Sequence, residues 1–330
     1  MLTPSAIEGA FAPVADETAL LIAVSGGPDS LALLHMATHW AMRHPRVSLF
    51  AATVDHALRP ESAEEAAIVA RLCAGLGVAH SILRWTGPKP KTRVQERARE
   101  ARYALLFEEA RRRGARAVLT AHHADDQAET ILFRLARGSG ISGLSGMAAV
   151  TKSHGAAIVR PLLGTPKAAL VAYCRRHGLA SIDDPSNLDD KFARARLRKL
   201  MPLLAAEGLD AAALSRLARR MRRADDALQS QTNTLLEHLG DGPAYPGAAL
   251  LGAPAEIAMR ALAALLARAQ GPGAPAIGLE KLETIEAKVR GAVLDGRRLR
   301  LNVGGVEVFA TADGHVALSP EKPRRQRLGR

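Results

Sequence analysis

The stretch from Ala19 to Ser30, ALLIAVSGGPDS, constrains the fold more than any other part of the chain. Its apolar run from Ala19 to Val24 does not alternate with polar residues, which is typical of a strand buried on both faces. After a short polar loop, LALLHMATHWAM places apolar residues at helical spacing. We therefore predict a buried strand, a tight glycine loop and a helix.

The composition of this loop favours phosphate binding. The loop consists of Ser25, Gly26, Gly27, Pro28, Asp29 and Ser30. The two glycines permit a sharp turn and let backbone N–H groups approach a ligand. The helix start adds unpaired N–H groups and the positive end of the helix dipole. The serine hydroxyls are further donors, and the Asp29 carboxylate suits Mg²⁺. An ordinary turn with a helix cap is the plain structural alternative.

Further strands and helices alternate along the first half of the chain. We predict strands at 47–54, 79–85 and 115–120, and helices at 63–75 and 92–113. This alternation indicates a doubly wound parallel sheet, whose ligands lie beyond the carboxyl ends of the strands. Polar clusters follow three of the strands: SGGPDS, DHALRPES at 55–62 and AHHADDQAET at 121–130. Their shared position predicts an active site at that edge.

The second half of the chain changes in character. We predict a strand at 158–163, helices at 166–177, 192–206, 211–239, 253–269 and 279–289, and short strands within 294–318. We expect an α/β domain at 1–210, a helical linker at 211–247 and a small α+β domain at 248–330. GSGISG at 138–143 matches a dinucleotide-binding pattern, but it follows a helix rather than a strand, so we reject that interpretation.

Composition narrows the class of partner. The net charge of +12 favours a polyanion such as nucleic acid, although a general bias toward arginine would also produce it. The N-terminus lacks the pattern of a signal peptide, and no apolar run is long enough to span a membrane, so we expect no membrane association. Cys73 and Cys174 are the two cysteines; they lie far apart, which fits a reducing cytoplasm.

The cluster AHHADDQAET offers candidate site residues. His122 and Asp126 share a helix face if the helix has begun by then. Zinc is disfavoured, because no further histidine or cysteine falls at a usual ligand spacing. We interpret the cluster as an acidic group that assists Mg²⁺ and a histidine near a nucleotide. The structural alternative is Asp125 as a helix cap among solvated polar residues.

Seven segments resemble one family in sequence and in order. SGGPDS resembles the pyrophosphate loop of N-type ATP pyrophosphatases, and the common ATP loop G-x-x-x-x-G-K-[ST] is absent. The segments are SGGPDS, DHALRPES, AREARY, AHHADDQAET, RGSGISGL, RPLL and DPSN followed by RARLR. Together they resemble the tRNA(Ile)-lysidine synthetases over about residues 19–200. One departure is Ala195, where the family often has asparagine between two arginines.

The resemblance implies a reaction and a set of site residues. ATP would adenylate the C2 oxygen of the wobble cytidine in a CAU-anticodon tRNA(Ile), and free L-lysine would then displace AMP to give lysidine. The loop would hold ATP, with Asp29 toward Mg²⁺ as its metal ligand. Arg99, His122, Asp126 and Arg194 would position the substrates, and the basic C-terminal part would contact tRNA. A homodimer is the oligomeric state that we consider for this chain.

Other functions remain open at this stage. A tRNA thiolase with the same loop is the nearest alternative, although two isolated cysteines suit that chemistry poorly. GMP or NAD synthetases act on small molecules, which leaves the positive charge unexplained. A non-catalytic RNA-binding protein is the alternative from another class.

Overall fold

The chain divides into two compact units. The computed structural model describes residues 3–56, 62–87, 92, 94–153, 155–182 and 193–321, without the side chains of 95 and 193–195. The first unit comprises residues 1–137 and 145–218, and the second comprises 138–144 and 219–330.

The first unit is an α/β structure. Its elements are α1 (Pro4–Phe11), β1 (Ala19–Ala23), α2 (Pro28–Ala41), β2 (Ser48–Asp55), α3 (Ser62–Gly75), β3 (Ala79–Arg84), α4 (Val94–Arg112), β4 (Ala117–Leu119), α5 (Ala124–Leu135), β5 (Val150–Ser153), β6 (Ala156–Val159), α7 (Lys167–Arg176) and α8 (Ala193–Ala206). Helix α6 (Ile141–Leu144) belongs to the second unit, and α9 (Ala211–Leu239) has residues in both.

Six strands form the sheet of the first unit. They lie in the order β3-β2-β1-β4-β6-β5, and every neighbouring pair is parallel except the antiparallel pair β5 and β6. The predicted fold class, with a parallel central sheet, is therefore confirmed. All five residues of β1 are buried, as its unbroken apolar run predicts.

The prediction for the edge of this sheet was wrong in one respect. Strand β6 ends at Val159, so the predicted strand does not continue through RPLL, which forms turns instead. Pro161 has no N–H group to donate to a ladder, which accounts for the early end of the strand. Strand β5 was not predicted, because its residues are mostly exposed and contain no apolar run.

Helices cover both faces of the sheet. Helices α2 and α3 pack on one face, and α2 also packs against α7. Leu20 and Ile22 of β1 belong to the core on that side. Leu21 and Ala23, which alternate with them, join α4 residues such as Leu106 in the core of the opposite face. Strand β1 is therefore at the centre of a three-layer structure.

The second unit has an antiparallel sheet with helices. Its further elements are β7 (Ala244–Pro246), α10 (Gly247–Leu251), α11 (Ala255–Gln270), α12 (Leu279–Leu294), β8 (Leu299–Val303), β9 (Val306–Ala310) and β10 (His315–Pro320). The strands lie in the order β7-β10-β9-β8. Helices α11 and α12 pack against β9 and β10 around a core rich in leucine and valine. This confirms a small α+β region. Of the helices in the described part of the chain, none is long and apolar enough to cross a membrane.

Candidate active site

The glycine loop lies between β1 and α2, as predicted. Gly26 has φ +87°, a conformation that side chains with a Cβ rarely adopt. A Cβ at this position would also lie 2.8 Å from Cδ1 of Ile182 and 3.2 Å from Cγ2 of Val69. The Ile182 amide donates to the Gly26 carbonyl at 3.0 Å. Both conformation and space therefore require glycine here.

The two serines of the loop have different roles. Ser30 is buried, and its hydroxyl donates to the Gly27 carbonyl at 3.0 Å. The same oxygen accepts from the Ser25 amide at 3.1 Å. Ser30 therefore holds the loop closed, whereas Ser25 is exposed and its hydroxyl lies 3.2 Å from that of Ser30. Of the two, Ser25 is the one available to a ligand.

Helix α2 provides the electrostatic part of the site. Gly27 is its N-cap, and Pro28 occupies the first turn, where a missing N–H group costs no helical hydrogen bond. The N–H groups of this turn and the dipole of a 14-residue helix favour a phosphate group there.

A buried histidine joins the loop to the next strand of the sheet. Strand β4 neighbours β1, and His123, which follows β4, is the N-cap of α5. Its Nε2 lies 3.4 Å from Oδ2 of Asp29 and 3.4 Å from Oδ2 of Asp126. The His123 side chain is 6% exposed. The structure therefore brings Asp29 and Asp126 together, and His123 is the residue between them.

The three carboxylates around His123 control its protonation. Burial disfavours the charged ring, but hydrogen bonds that it donates to Asp125 and Asp29 and the charge of Asp126 outweigh this effect and raise the pKa of His123 to about 9. A protonated Nδ1 faces Oδ2 of Asp125, 3.6 Å away, as an ion pair and cannot accept from the Asp126 amide at 3.4 Å. The carboxylates favour the doubly protonated ring of His123 near neutral pH.

The two neighbouring aspartates differ in environment. Burial raises the pKa of Asp126, although the charge of His123 opposes this. The contact with His123 lowers the pKa of Asp125. Asp125 also accepts from the Lys167 amide at 2.8 Å, at the start of α7, where the N-cap Pro166 has no capping side chain. Asp125 therefore caps α7, and the N-cap of its own helix α5 is His123, so the structural alternative named the wrong cap for α5.

A buried carboxylate farther along α5 was not predicted. Glu129 is one turn beyond Asp126 on the same helix face. Arg198 of α8 donates to both of its oxygens, from Nε at 2.7 Å and from Nη2 at 3.0 Å. The three-residue spacing from Asp126 to Glu129 was the available signal in the sequence. It does not distinguish a site from a solvent-exposed helix, where the same spacing is equally common.

The remaining predicted residues lie in different places. His122 precedes the helix, so it does not share a helix face with Asp126; its Nδ1 lies 2.9 Å from the Thr120 hydroxyl. Arg99 is on α4 and contacts Tyr103. The Arg194 side chain lies outside the described residues, as do residues 57–61, the DPSN segment and the basic tail from 322.

The chemistry of the donor set fits Mg²⁺. Oδ1 of Asp29 is buried and has no hydrogen-bond partner among the described residues, although Oδ2 contacts His123. No group of three or more histidine, cysteine or acidic residues in the described ranges can hold a metal ion. Mg²⁺ commonly takes one or two carboxylates and completes its shell with phosphate and water. Asp29 meets that requirement.

The fold and the loop define a class of protein. The family model described as a PP-loop domain matches residues 4–204. Among solved structures, the U34-tRNA thiolase NcsA from Methanococcus maripaludis has a TM-score of 0.57 at 14% identity, covering 66% of this chain and 78% of its own. That likeness shows the fold alone.

Curated relatives narrow the class further. The tRNA(Ile)-lysidine synthase of Methylobacterium nodulans is 49% identical over 93% of this chain and 91% of its own. That of Rhodopseudomonas palustris is 46% identical over 94% and 92%, respectively. The chain belongs to the tRNA(Ile)-lysidine synthase family. It is therefore a ligase, and its PP-loop domain implies use of ATP.

Proposed function

We propose that this enzyme joins free L-lysine to C2 of the wobble cytidine of a CAU-anticodon tRNA(Ile). The products are lysidine, AMP and pyrophosphate. Relatives that are 43–49% identical over most of the chain and are named for this tRNA support the substrate. The observation that carries the proposal is the meeting of Asp29 and Asp126 at His123, directly beside the glycine loop.

The first step activates the cytidine. Its C2 oxygen attacks the α-phosphorus of ATP, an O–P bond forms, and the bond to the β-phosphate breaks to release pyrophosphate. The N–H groups of the loop and of the α2 terminus hold the phosphates and stabilise the developing charge. Asp29 would hold Mg²⁺, which neutralises phosphate charge when it is bound.

The second step uses the acidic side of the site. The lysine amine attacks C2, a C–N bond forms, and the bond from C2 to the oxygen of AMP breaks. Asp126 and Asp29 attract the ammonium group, and Asp126 suits the acceptance of its proton because burial raises its pKa. His123 holds the two carboxylates in place. His122, Arg99 and Arg194 are proposed to position the nucleotide and the RNA.

The cysteines argue against a thiolase. Burial raises the pKa of Cys73 to about 11, so its thiol stays protonated near neutral pH. Cys174 is also buried, and its thiol donates to the Pro28 carbonyl at 3.2 Å. Neither thiol is placed as a sulfur carrier. A cytoplasmic location, where free lysine and tRNA meet, and a homodimer stay predictions.

Transfer of labelled lysine tests the proposal. The purified chain is incubated with ATP, Mg²⁺, radiolabelled lysine and a CAU-anticodon tRNA(Ile) transcript, beside a transcript with uridine at the wobble position. We expect label in the first RNA only. AMP release that depends on RNA, without label in either transcript, would reject lysine as the nucleophile. No AMP with either RNA would favour a binding protein.

A further inference from the structure

Three arginines and a tyrosine form a second charged cluster in the first unit, here called the arginine cluster. Arg99, Arg102 and Tyr103 lie in the first turns of α4, and Arg160 follows β6 directly. Helix α4 packs against β6. Since α4 leads from β3 to β4, its first turns lie at the carboxyl edge of the parallel strands, where β6 also ends.

Arg160 is the most constrained member of the cluster. It is 7% exposed. Its Nη1 donates to the Ala148 carbonyl at 2.7 Å and to the Thr151 hydroxyl at 2.9 Å, which fixes the guanidinium. Its Nε is buried and has no hydrogen-bond partner among the described residues. A buried donor without a partner is costly and calls for an explanation.

The other members share one electrostatic neighbourhood with Arg160. Arg99 lies 5.0 Å above the Tyr103 ring, and its Nη2 is 3.4 Å from the Tyr103 hydroxyl. Burial lowers the pKa of Arg102 and of Arg160; Tyr103 opposes the effect on both, and the charge of Arg99 adds to it. Arg99 is thus close enough to Arg102 and to Arg160 for its charge to repel both guanidinium groups.

Carboxylates do not neutralise these cations. Among the described residues, none of Arg99, Arg102 and Arg160 forms an ion pair with an acidic side chain. On the same helix, Arg97 pairs with Glu100 at 2.9 Å, and Arg112 pairs with Glu109 at 3.3 Å. Helix α4 therefore carries Arg99 and Arg102, which are not ion-paired among the described residues, close to Arg97, which is. An external anion is the natural partner of the arginine cluster.

The position of the cluster separates it from the ATP phosphates. The glycine loop leads into α2, which packs on the opposite face of the sheet from α4. Strand β6 is two strands from β1, or about 10 Å along the sheet edge. Both sites face the same edge, so one substrate can reach them together.

We propose that the arginine cluster binds a backbone phosphate of the RNA substrate, close to the nucleotide that is modified and apart from the ATP phosphates. The inference rests on the proposed function. Bidentate guanidinium contacts suit a phosphodiester, and Tyr103 offers a ring beside it. Phosphates of ATP are the other source of the same chemistry.

Binding measurements on the full chain separate these sources. Arg102→Gln should weaken binding of the CAU transcript by about tenfold and reduce the salt slope of log K by about one. Its affinity for ATP should stay within about twofold of wild type. Arg97→Gln, on the same helix but in an ion pair with Glu100, is the matched control and should change neither quantity. Arg160→Gln, with urea unfolding as a check on the fold, is a second variant that also removes a charge and should act like Arg102→Gln.

Each outcome supports or overturns the assignment of the arginine cluster to an RNA phosphate. An unchanged salt slope in both variants would overturn the proposal, and a selective loss of ATP affinity would assign the cluster to ATP instead. These measurements need no lysine transfer. If wild type bound RNA with the expected slope but transferred no lysine, the proposed function would fail while the phosphate site stood.

Discussion

Each unit contains a network of partly buried charged side chains, and the two networks differ in how completely their polar atoms are hydrogen-bonded. In the second unit, Arg260 donates to Asp225 at 2.8 Å, to Glu256 at 2.7 Å and to the Ser142 hydroxyl at 3.0 Å. In the first unit, Asp29 keeps one buried oxygen for which the described residues provide no hydrogen-bond partner.

The difference separates stabilisation from function. Satisfied buried charges offset the cost of their desolvation within the protein, so removal of one partner weakens the fold. A buried carboxylate oxygen without a hydrogen-bond partner keeps the cost of its desolvation until a ligand binds. The arginine cluster is the basic counterpart of Asp29. Net charge alone does not reveal this distinction, because both units are rich in arginine.

The largest expected effect is on catalysis. Asp126→Asn should lower kcat/KM for lysine transfer by about 100-fold or more, because the variant neither attracts the amine nor accepts its proton. Its free energy of unfolding should change by less than about 1 kcal/mol, since the desolvation cost that Asp126 no longer bears offsets the lost charge contact with His123. Steady-state kinetics and urea unfolding measure the two. The exposed Asp226→Asn is the control; equal losses in both variants would contradict the assignment.

The next effect is on the stability of the second unit. Arg260→Ala should lower its free energy of unfolding by about 3 kcal/mol, because Asp225 and Glu256 lose the cation they share and only the Ser142 hydroxyl still donates to Asp225. Both tryptophans, Trp40 and Trp85, lie in the first unit. Circular dichroism during urea unfolding should therefore show the loss, while tryptophan fluorescence keeps its midpoint. A shift of the fluorescence midpoint without a change in circular dichroism would contradict the assignment of this loss to the second unit.

A pH effect should follow in the first unit. The folded pKa of His123 is about 9, above the ordinary 6.5, so the folded state binds this proton more tightly. The stabilisation is fully present below pH 6.5 and is lost as the pH rises through 9, at most about 3 kcal/mol. Fluorescence-detected urea unfolding of wild type and His123→Gln, at about pH 6 and about pH 10, isolates it. Parallel pH dependences in the two proteins would exclude His123 as the source.

The smallest effect is expected at an exposed pair. Arg268 and Asp241 in the second unit lie 3.1 Å apart, with side chains 52% and 96% exposed. Arg268→Gln should therefore change the free energy of unfolding by less than about 0.5 kcal/mol, since solvent screens such pairs. Circular dichroism, as for Arg260→Ala, measures it. A loss as large as that of Arg260→Ala would mean that burial does not explain the difference between the networks.

The best sequence predictions concern local structure. The order of strand, glycine loop and helix at the start of the sheet is confirmed. This order was predictable because an unbroken apolar run indicates a buried strand and a glycine pair indicates a tight turn. Helix α9 spans Ala211–Leu239, as predicted, and the Asp210 carboxylate accepts from the Ala213 amide at 2.6 Å to cap it. The division into domains at 210 and 247 stays a prediction.

The arrangement of the site residues does not follow from the sequence. Two adjacent histidines look alike in a sequence, and which of them turns into the site depends on where α5 begins. The helix begins at Ala124, so His123 becomes its N-cap and meets Asp29, whereas His122 turns to Thr120. Neither residue type nor spacing distinguishes the two.

The sequence by itself determined the strand–loop–helix unit and the alternation of strands and helices, because both follow from the hydrophobic period and from turn chemistry. It also determined the edge of the sheet where polar residues gather, because that edge follows from the direction of the chain. Only the tertiary structure decided that Asp29, His123 and Asp126 share one contact and that Arg160 is buried with an unpartnered Nε. Those facts depend on which strands are neighbours and on how much water is excluded between elements distant in sequence, and local patterns carry neither quantity.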